Sequence, residues 1–482
     1  MRLQIVEARR GWALAVAMIA IAGLHAVFGA DAHAATCADV QVAIGAPGES
    51  VAGKAGAGAV ELRSGSGAAT VITAPNPEAD AHFGAAVQRL DLDADDCPDL
   101  VVGAPGATSS GKSGAGLVYL FHNEPSGMTY NRIWARGQAG VPGPVQAGAG
   151  FGSAFTVAHA NTDREVVVGA PGEDVGSARD AGAIVGLYFH EGPTPFAVVK
   201  AVVQTQETPG MPGTAESGDR FGATLSSMGC SWTIDGYFGD NSHFVVGVPD
   251  EAVGPAAGAG AVVTFYAESS SGEPNPYWAL NDGTVSHAKF WTQDSKDMPG
   301  SAEAGDHFGA ALAGDLIGVP GEDIGSIRDA GMVNTFECEY EGGFDVGPAV
   351  SQNSESGYGE ADVAGAAEAG DRFGAAVFGD FIGVPGEDVG DLTDAGMVNR
   401  FSSGAALTQN TGGVAGVAEA GDRFGAAVIG SAYETSWFVG APGEDGAGAV
   451  IVRRENGPNV EYKQATRHRG DGYGSALGHY FS

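Results

Sequence analysis

The stretch "AEAGDRFGAAVFGDFIGVPGEDVGDLTDAGMVNRF", residues 367–401, contains the two short motifs that decide the fold of this chain. The first is an aromatic residue followed by glycine, here Phe373-Gly374, and the second is a GVP or GAP tripeptide, here beginning at Gly383. Seven copies of each motif alternate along the chain, which indicates a repeat architecture. The aromatic–glycine pairs begin at Phe83, Phe151, Phe221, Phe308, Phe373, Phe424 and Tyr473. The tripeptides begin at Gly45, Gly103, Gly169, Gly247, Gly318, Gly383 and Gly440.

Each repeat has the same internal order of four short apolar runs. The first run consists of small residues, as in "FGAAV", and the second ends in the tripeptide. A loop rich in Gly and Asp then leads to a third run and to a fourth run of variable sequence. Four short strands bounded by Gly, Pro and Asp are typical of one blade of a propeller. We therefore predict an all-β fold, a seven-bladed β-propeller of four-stranded blades, in which Phe side chains fill the space between neighbouring sheets.

The two ends of the chain carry complementary halves of one repeat. The segment "DVQVAIGAPGES", residues 39–50, has a tripeptide without its aromatic–glycine partner, and "GYGSALGHYFS", residues 472–482, has the partner without a tripeptide. We predict that residues 472–482 complete the first blade, because pairing of the last strand with the first closes the ring and removes exposed sheet edges.

This alternation resembles the FG-GAP repeat family, the propeller of integrin α subunit heads, and most of all its secreted bacterial branch. The resemblance covers nearly all of residues 35–482, which we take as one propeller domain. It implies a fold more than an activity.

The first 34 residues resemble a secretory signal peptide. Arg2, Arg9 and Arg10 precede the apolar run "GWALAVAMIAIAGLHAVFG", and the small-residue site "AHA" ends at Ala34. An uncleaved membrane anchor is the rival interpretation. The small-residue site favours cleavage, so the predicted localisation is secreted, either extracellular or at the cell surface, with no membrane span after cleavage.

The charge of the chain restricts its partners. With 24 basic and 59 acidic residues, the formal net charge is −35. Such a surface repels nucleic acid phosphates and anionic lipids and favours cations. We therefore expect no nucleic acid partner.

A calcium site is predicted in the second repeat, in "DLDADDCPDL", residues 91–100. Oxygen ligands at alternate positions can wrap a short loop around Ca²⁺, which takes six to eight of them. The candidate metal ligands are the side chains of Asp91, Asp93, Asp95 and Asp99 and the main-chain carbonyl of Cys97. The loop of the FG-GAP family matches these positions except that Asp96 replaces its usual Gly, and Asp tolerates a left-handed conformation. A solvated acidic turn is the alternative.

A second set of acidic residues follows the tripeptides, and the family topology implies that they lie on the face opposite the calcium loop. In integrins that face meets ligands. Here their repetition favours a structural role, in which Asp caps tight turns or pairs with Arg220, Arg372 or Arg423 of neighbouring repeats. The set comprises Glu173, Asp174, Asp180, Glu322, Asp323, Asp329, Glu387, Asp388, Asp394, Glu444 and Asp445.

Four cysteines, Cys37, Cys97, Cys230 and Cys338, allow three pairings. Cys37 and Cys97 both shortly precede a GAP tripeptide, which makes them one candidate pair, and free thiols are the alternative.

Known catalytic motifs are missing, but one nucleotide motif occurs. The chain has neither H-E-x-x-H nor G-x-S-x-G. "GATSSGKS", residues 106–113, matches a phosphate-binding loop, but it corresponds to a repeat loop and is followed by strand residues Leu117 to Phe121 instead of a helix. We therefore predict no nucleotide ligand and no catalytic residues.

The sequence thus favours a secreted, calcium-binding propeller that acts as a non-catalytic binding or adhesion scaffold. Its expected partner is an extracellular protein or glycan, and the chain is expected to be monomeric. The alternative is an extracellular hydrolase or lyase that acts on a polymer through a site on a propeller face. The stretch from Thr264 to Met298, with Tyr277, Trp278, Phe290 and Trp291, departs most from the repeat and is the candidate for an asymmetric contact surface.

Overall fold

The fold consists of β-strands arranged in seven four-stranded antiparallel sheets, as predicted. The computed structural model describes residues 37–138, 140–160, 163–190, 196–234, 237–265, 288–338, 344–354, 363–400, 402–430, 436–454, 459–464 and 472–478. The predicted signal peptide, residues 1–34, lies outside these ranges.

The sheets are numbered as blades in chain order. Blade 1 contains β1 (Val42–Ala46), β2 (Ala59–Arg63), β3 (Ala69–Ile72) and, at the far end of the chain, β28 (Ala476–Gly478). Blade 2 contains β4 (Ala86–Leu90), β5 (Asp99–Ala104), β6 (Leu117–Glu124) and β7 (Gly127–Trp134). Blade 3 contains β8 (Phe155–Ala160), β9 (Asp163–Ala170), β10 (Ala183–His190) and β11 (Lys200–Gln204). Blade 4 contains β12 (Thr224–Ile234), β13 (Tyr237–Val248), β14 (Ala261–Phe265) and β15 (Ala288–Trp291).

The remaining three blades follow the same order. Blade 5 contains β16 (Ala311–Ala313), β17 (Leu316–Val319), β18 (Met332–Cys338) and β19 (Phe344–Val350). Blade 6 contains β20 (Ala376–Phe378), β21 (Phe381–Val384), β22 (Met397–Arg400) and β23 (Ala406–Leu407). Blade 7 contains β24 (Ala427–Gly430), β25 (Ser436–Ala441), β26 (Ala449–Arg454) and β27 (Val460–Lys463).

The last strand closes the ring onto the first blade, which confirms the predicted closure. Strand β28 pairs antiparallel with β1, with Ile44 opposite Leu477 and Gly45 opposite Ala476. Tyr473, at the position that Phe occupies in the other six repeats, is fully buried, and its hydroxyl donates a 2.6 Å hydrogen bond to Glu61 on β2. The two ends of the chain therefore share one sheet and one buried polar contact.

The two sequence motifs meet where neighbouring blades come closest. Within blade 6 the N–H of Gly374 donates to the carbonyl of Gly383, and a Cβ atom placed on Gly383 would lie 2.0 Å from the carbonyl oxygen of Gly425 in blade 7. Every tripeptide glycine faces the aromatic–glycine pair of the next blade in this way, at 2.0 to 2.5 Å. Only glycine fits this approach, which explains why both motifs recur with the blades.

The aromatic residues of the motif fill the space between adjacent sheets, as the sequence predicts. Phe373 is fully buried and packs with Leu316 and Val333 of blade 5 and with Val377 and Ile382 of blade 6. Complete burial of a Phe side chain stabilises the folded protein by about 2 kcal/mol or more. Each blade is therefore held to the next by a motif residue.

A buried Gln–Glu hydrogen bond, which was not predicted from the sequence, joins most neighbouring blades. In each case a Gln after the fourth strand donates through Nε2 to the Glu that follows the tripeptide of the next blade. The pairs are Gln206–Glu251 at 2.9 Å, Gln293–Glu322 at 2.5 Å, Gln352–Glu387 at 2.6 Å, Gln409–Glu444 at 2.6 Å and Gln464–Glu49 at 2.8 Å.

Two junctions depart from this pattern. Between blades 2 and 3, Arg136 replaces the Gln and forms a buried ion pair with Glu173 at 2.8 Å. Between blades 1 and 2 the corresponding residues are Ala74 and Ala107, which are buried in one apolar cluster. At that junction a disulfide joins Cys37 to Cys97, with Cα atoms 5.4 Å apart. One of the pairings left open by the sequence is thus present, and the side chains of Cys230 and Cys338 lie outside the described part of the chain.

Stability should rise as the pH falls from 8 to 5, because burial raises the pKa of Glu251, Glu322 and Glu387 to about 7. A carboxyl with a raised folded pKa contributes stability that is fully present below its unfolded pKa near 4.5 and is lost as the pH rises through 7. The Gln partners have buried amide oxygens without a hydrogen-bond partner among the described residues, and a protonated Glu would offer a donor beside each. Chemical denaturation in a chelator-containing buffer at pH 5 and pH 8 measures the difference.

The matched variant for this experiment carries Glu251→Gln, Glu322→Gln and Glu387→Gln. These uncharged side chains should make the protein more stable than the parent at pH 8, by about 1 to 3 kcal/mol per pair, and similar to it at pH 5. A variant whose stability changes with pH as steeply as that of the parent would contradict this assignment.

The loop that matches the phosphate-binding motif is a tight hairpin turn. Ser109 and Lys112 form two backbone hydrogen bonds around Ser110 and Gly111, which both have positive φ. Strand β6 then begins at Leu117, so the predicted strand is confirmed and the helix that a phosphate loop requires does not follow this turn. The same turn recurs at Val51 and Lys54 in blade 1, around Ala52 and Gly53 with positive φ.

Trp291, one of the candidate surface aromatics, instead lies in the core. It is 3% exposed, and its indole N–H donates to Thr264 at 2.9 Å. Phe290 is half-buried against the apolar cluster of blades 3 and 4. Tyr277 and Trp278 lie outside the described residues.

Candidate metal centre

The predicted calcium loop connects β4 to β5 in blade 2, at the end of β5 opposite its GAP tripeptide. The loop reverses the chain through two residues with positive φ, Ala94 at 60° and Asp96 at 64°. Asp96 therefore adopts the left-handed conformation expected for it, in the place where the FG-GAP loop usually has Gly. The turn lets acidic residues on both sides of it approach one another.

The side chains at the base of the loop are fixed by backbone hydrogen bonds. Asp91 accepts from the N–H groups of Asp95 at 3.3 Å and Asp96 at 3.1 Å. Asp99 is fully buried and accepts from Leu92 at 3.1 Å and, across the sheet, from Asn123 at 3.0 Å. These bonds orient both carboxylates before any ion binds.

The carboxylates of the loop converge on a small volume. Asp91, Asp93 and Asp95 each offer an oxygen within 4.8 Å of the others, and Asp93 and Asp99 approach one another within the same distance. Oδ1 of Asp93 is buried and has no hydrogen-bond partner among the described residues. One oxygen of Asp95 accepts from the N–H of Cys97 at 2.9 Å. Asp91, Asp93 and Asp95 thus form one group of possible ligands, Asp99 approaches this group through Asp93, and Cys97 lies in the same turn.

The electrostatics of this cluster favour a bound cation. Burial raises the pKa of Asp99 to about 8, and burial together with the charge of Asp95 raises the pKa of Asp93 to about 6. A carboxylate that is desolvated next to other carboxylates is destabilised in its charged form. A divalent ion would supply the opposite charge and a partner for the unpaired Asp93 oxygen, so these residues fit Ca²⁺.

The loop is braced from the side of the first blade. The disulfide to Cys37 anchors Cys97, and the next residue of the N-terminal segment, Ala38, exchanges two hydrogen bonds with the Asn123 side chain at 3.1 and 3.4 Å. Asn123 in turn donates its N–H to Asp99. The loop is therefore held between the N-terminal segment and β6.

His122 on β6 also reaches the cluster, and the sequence reading missed it. Its Nε2 atom lies 3.2 Å from Asp93 and 3.8 Å from Asp95, and it forms a second group of possible metal ligands with Asp93 and Asp99. The only sequence signal was a His at the end of a third strand, because its proximity depends on the register between β5 and β6.

Acidic side chains of the repeat loops and connectors accept hydrogen bonds from backbone N–H groups, which supports the structural role expected for these loops. Asp219, Asp306, Asp371 and Asp422 each accept the N–H of the residue three positions earlier. Asp174, Asp323 and Asp388 accept the N–H of the residue six positions later. Arg220 forms an ion pair with Asp250 at 3.4 Å, but within its own blade and not with a neighbouring repeat as predicted.

Comparison with known proteins agrees with this architecture. A family model described as the FG-GAP repeat matches residues 83–121, the span from Phe83 through the candidate metal loop to Phe121 in the third strand of blade 2. The blade 2 repeat of this seven-bladed propeller thus matches the FG-GAP family. The other repeats of the propeller place the same two motifs at the same positions in their blades.

Further comparisons found solved structures with some similarity to this chain but no curated relative. A crystal structure described as a "putative 6-phosphogluconolactonase" from Bacteroides uniformis is similar over 91% of this chain and 99% of its own, with 10% identity and a TM-score of 0.40. A search of curated proteins found no match. Within the described residues, no helix is long and apolar enough to cross a membrane.

Proposed function

We propose that this chain is a secreted, calcium-binding FG-GAP propeller that acts as a non-catalytic binding or adhesion scaffold. The observation that carries the proposal is the blade 2 loop, in which the carboxylates of Asp91, Asp93 and Asp95 converge. The buried Oδ1 atom of Asp93 has no hydrogen-bond partner in the part of the chain that the structure describes. The N-terminal segment with the pattern of a signal peptide supports export to a place where calcium is abundant.

The role of calcium would be structural. The ion would be held by Asp91, Asp93, Asp95 and Asp99 with the carbonyl of Cys97, and it would neutralise charge that burial makes unfavourable. The loop adjoins both the disulfide and the N-terminal segment, so a bound ion would strengthen the junction of blades 1 and 2. That is the junction where two alanines replace the buried polar pair.

Hydrogen bonds between neighbouring loops of the ring support the proposed role as a binding scaffold. The loops after the tripeptides and the connectors before the next blade are bonded together, for example by the N–H of Gly370 to the carbonyl of Arg328 and that of Gly421 to Thr393. Such loops hold a fixed shape without a ligand, as preorganised binding surfaces do. The partner would be an extracellular protein or glycan, bound by a monomeric propeller.

Calcium should raise the thermal unfolding temperature of the chain from residue 35 to 482 by several degrees. An ion that binds the folded state at 100 times its Kd stabilises it by about 2.7 kcal/mol. The measurement is a calcium titration followed by thermal unfolding, starting from chelated protein.

Three variants define the site in this experiment. Asp93→Ala and Asp95→Ala should abolish the shift, and Asp391→Ala, which removes an exposed acid from a repeat loop of blade 6, should retain it. No shift in the parent protein, or an equal shift in all variants, would refute the calcium site.

A further inference from the structure

The blade 2 centre contains a nitrogen donor in addition to its carboxylates. Nε2 of His122 is buried and makes no hydrogen bond within the described residues, although it lies 3.2 Å from Oδ2 of Asp93. The two atoms converge without the alignment of a hydrogen bond. Atoms that approach one another in this way can share a cation between them.

The ring of His122 packs against an aromatic ring and has a carboxylate near its second nitrogen. It packs against the buried ring of Phe196 from blade 3, with centroids 5.0 Å apart. Its other ring nitrogen, Nδ1, lies 3.7 Å from a carboxylate oxygen of Glu124. Metal-binding histidines commonly direct their second nitrogen to a carboxylate, which fixes the ring and increases the basicity of the ligating nitrogen.

The sheet register brings His122 next to the metal loop. Leu100 pairs with Phe121 across β5 and β6, so Asp99 and His122 are the next residues along the two strands. Asp93, Asp99 and His122 place two carboxylate oxygens and one imidazole nitrogen within 4.8 Å of one another. Imidazole binds first-row transition metals well, whereas Ca²⁺ takes oxygen ligands.

We propose that His122 Nε2 is a metal ligand and that the blade 2 centre binds a divalent first-row transition-metal ion, with Zn²⁺ as the test ion, in competition with Ca²⁺. This inference rests on the metal site of the proposed function and adds a ligand and a second class of ion to it. Asp93 and Asp99 are the carboxylates shared between the two modes of binding.

The test is a pair of calorimetric titrations, with Zn²⁺ and with Ca²⁺, on the chelated chain from residue 35 to 482. His122→Gln should weaken Zn²⁺ binding at least about tenfold while changing Ca²⁺ binding by much less, because glutamine keeps the volume but lacks the imidazole nitrogen. His307→Gln is the control, since His307 also lies beside a carboxylate, that of Asp250 at 3.1 Å, but in another part of the ring. It should leave both affinities unchanged.

A spectroscopic measurement tests the nitrogen directly. With one equivalent of Cu²⁺, electron paramagnetic resonance of the parent should show coupling to an imidazole nitrogen, and His122→Gln should lose it. His122→Glu provides a second variant if His122→Gln folds poorly. It replaces the nitrogen with oxygen, and it should shift the preference from Zn²⁺ towards Ca²⁺.

The possible outcomes separate this inference from the calcium proposal. Calcium binding with no zinc binding, or with zinc binding that does not depend on His122, overturns the inference and leaves the calcium site intact. Zinc binding that depends on His122 without calcium binding supports the inference and refutes calcium. Binding of neither ion refutes both. If His122→Gln only destabilises the chelated protein and leaves both affinities unchanged, His122 is a simple ion-pair partner of the loop and the inference fails.

Discussion

A chain that ends at Gly472 should lose about 5 kcal/mol or more of unfolding free energy and should no longer unfold in one cooperative transition. The deletion removes β28 and the fully buried Tyr473, and it leaves Glu61 without its hydroxyl donor. It also exposes the edge of β1, which is a template for aggregation. Thermal unfolding and limited proteolysis of the full and shortened chains measure the effect.

A graded control separates loss of the strand from loss of one hydrogen bond. Tyr473→Phe keeps an aromatic ring at the position where six other repeats have Phe, and it removes only the 2.6 Å bond to Glu61. It should cost about 1 to 3 kcal/mol, because a buried acceptor loses its donor. A shortened chain that unfolds at the same temperature as the full chain would disprove the closure.

The second large effect is expected for Gly383→Ala, which should destabilise the protein by about 3 kcal/mol. The new Cβ would lie 2.0 Å from the carbonyl oxygen of Gly425 and 3.2 Å from the Cβ of Ala376. The first of these contacts is with backbone, so blades 6 and 7 would have to move apart. Chemical denaturation measures the loss.

Gly412→Ala is the matched control for this substitution. A Cβ on Gly412 would meet no atom within 4 Å, and the residue lies in the connection after β23, not at a contact between blades. The substitution should be neutral or stabilise by about 0.4 to 1 kcal/mol, because Ala restricts the unfolded chain. Equal effects of the two substitutions would contradict the explanation given for the tripeptide motif.

The fold could be predicted from the sequence because its main constraints are local. The close approach of Gly383 to Gly425 permits only glycine, and the same geometry recurs at each blade, so the constraint is visible as a repeated motif. The closure was predictable for the same reason, since each end of the chain lacked one of the two motifs. The carboxylates of the metal loop were predictable because they lie within one short segment.

Contacts that depend on register or on neighbouring blades were harder to predict. His122 reaches Asp93 only through the pairing of β5 with β6, for which the sequence contains no local pattern. Gln206 and Glu251 lie 45 residues apart and in different blades. A Gln that recurs after the fourth strand was the available signal, but the variable spacing of the repeats obscured it.

The closure of the ring also sets the order in which the protein can be completed. Tyr473 and Glu61 lie 412 residues apart, so at ordinary synthesis rates about 20 to 80 s separate the two sides of this contact. During that interval the first blade made has three strands and an open inner edge, while later blades can already pair within themselves. The blade that starts the protein is thus the last to be finished, and a prematurely terminated chain exposes an unpaired strand that proteases and chaperones can recognise.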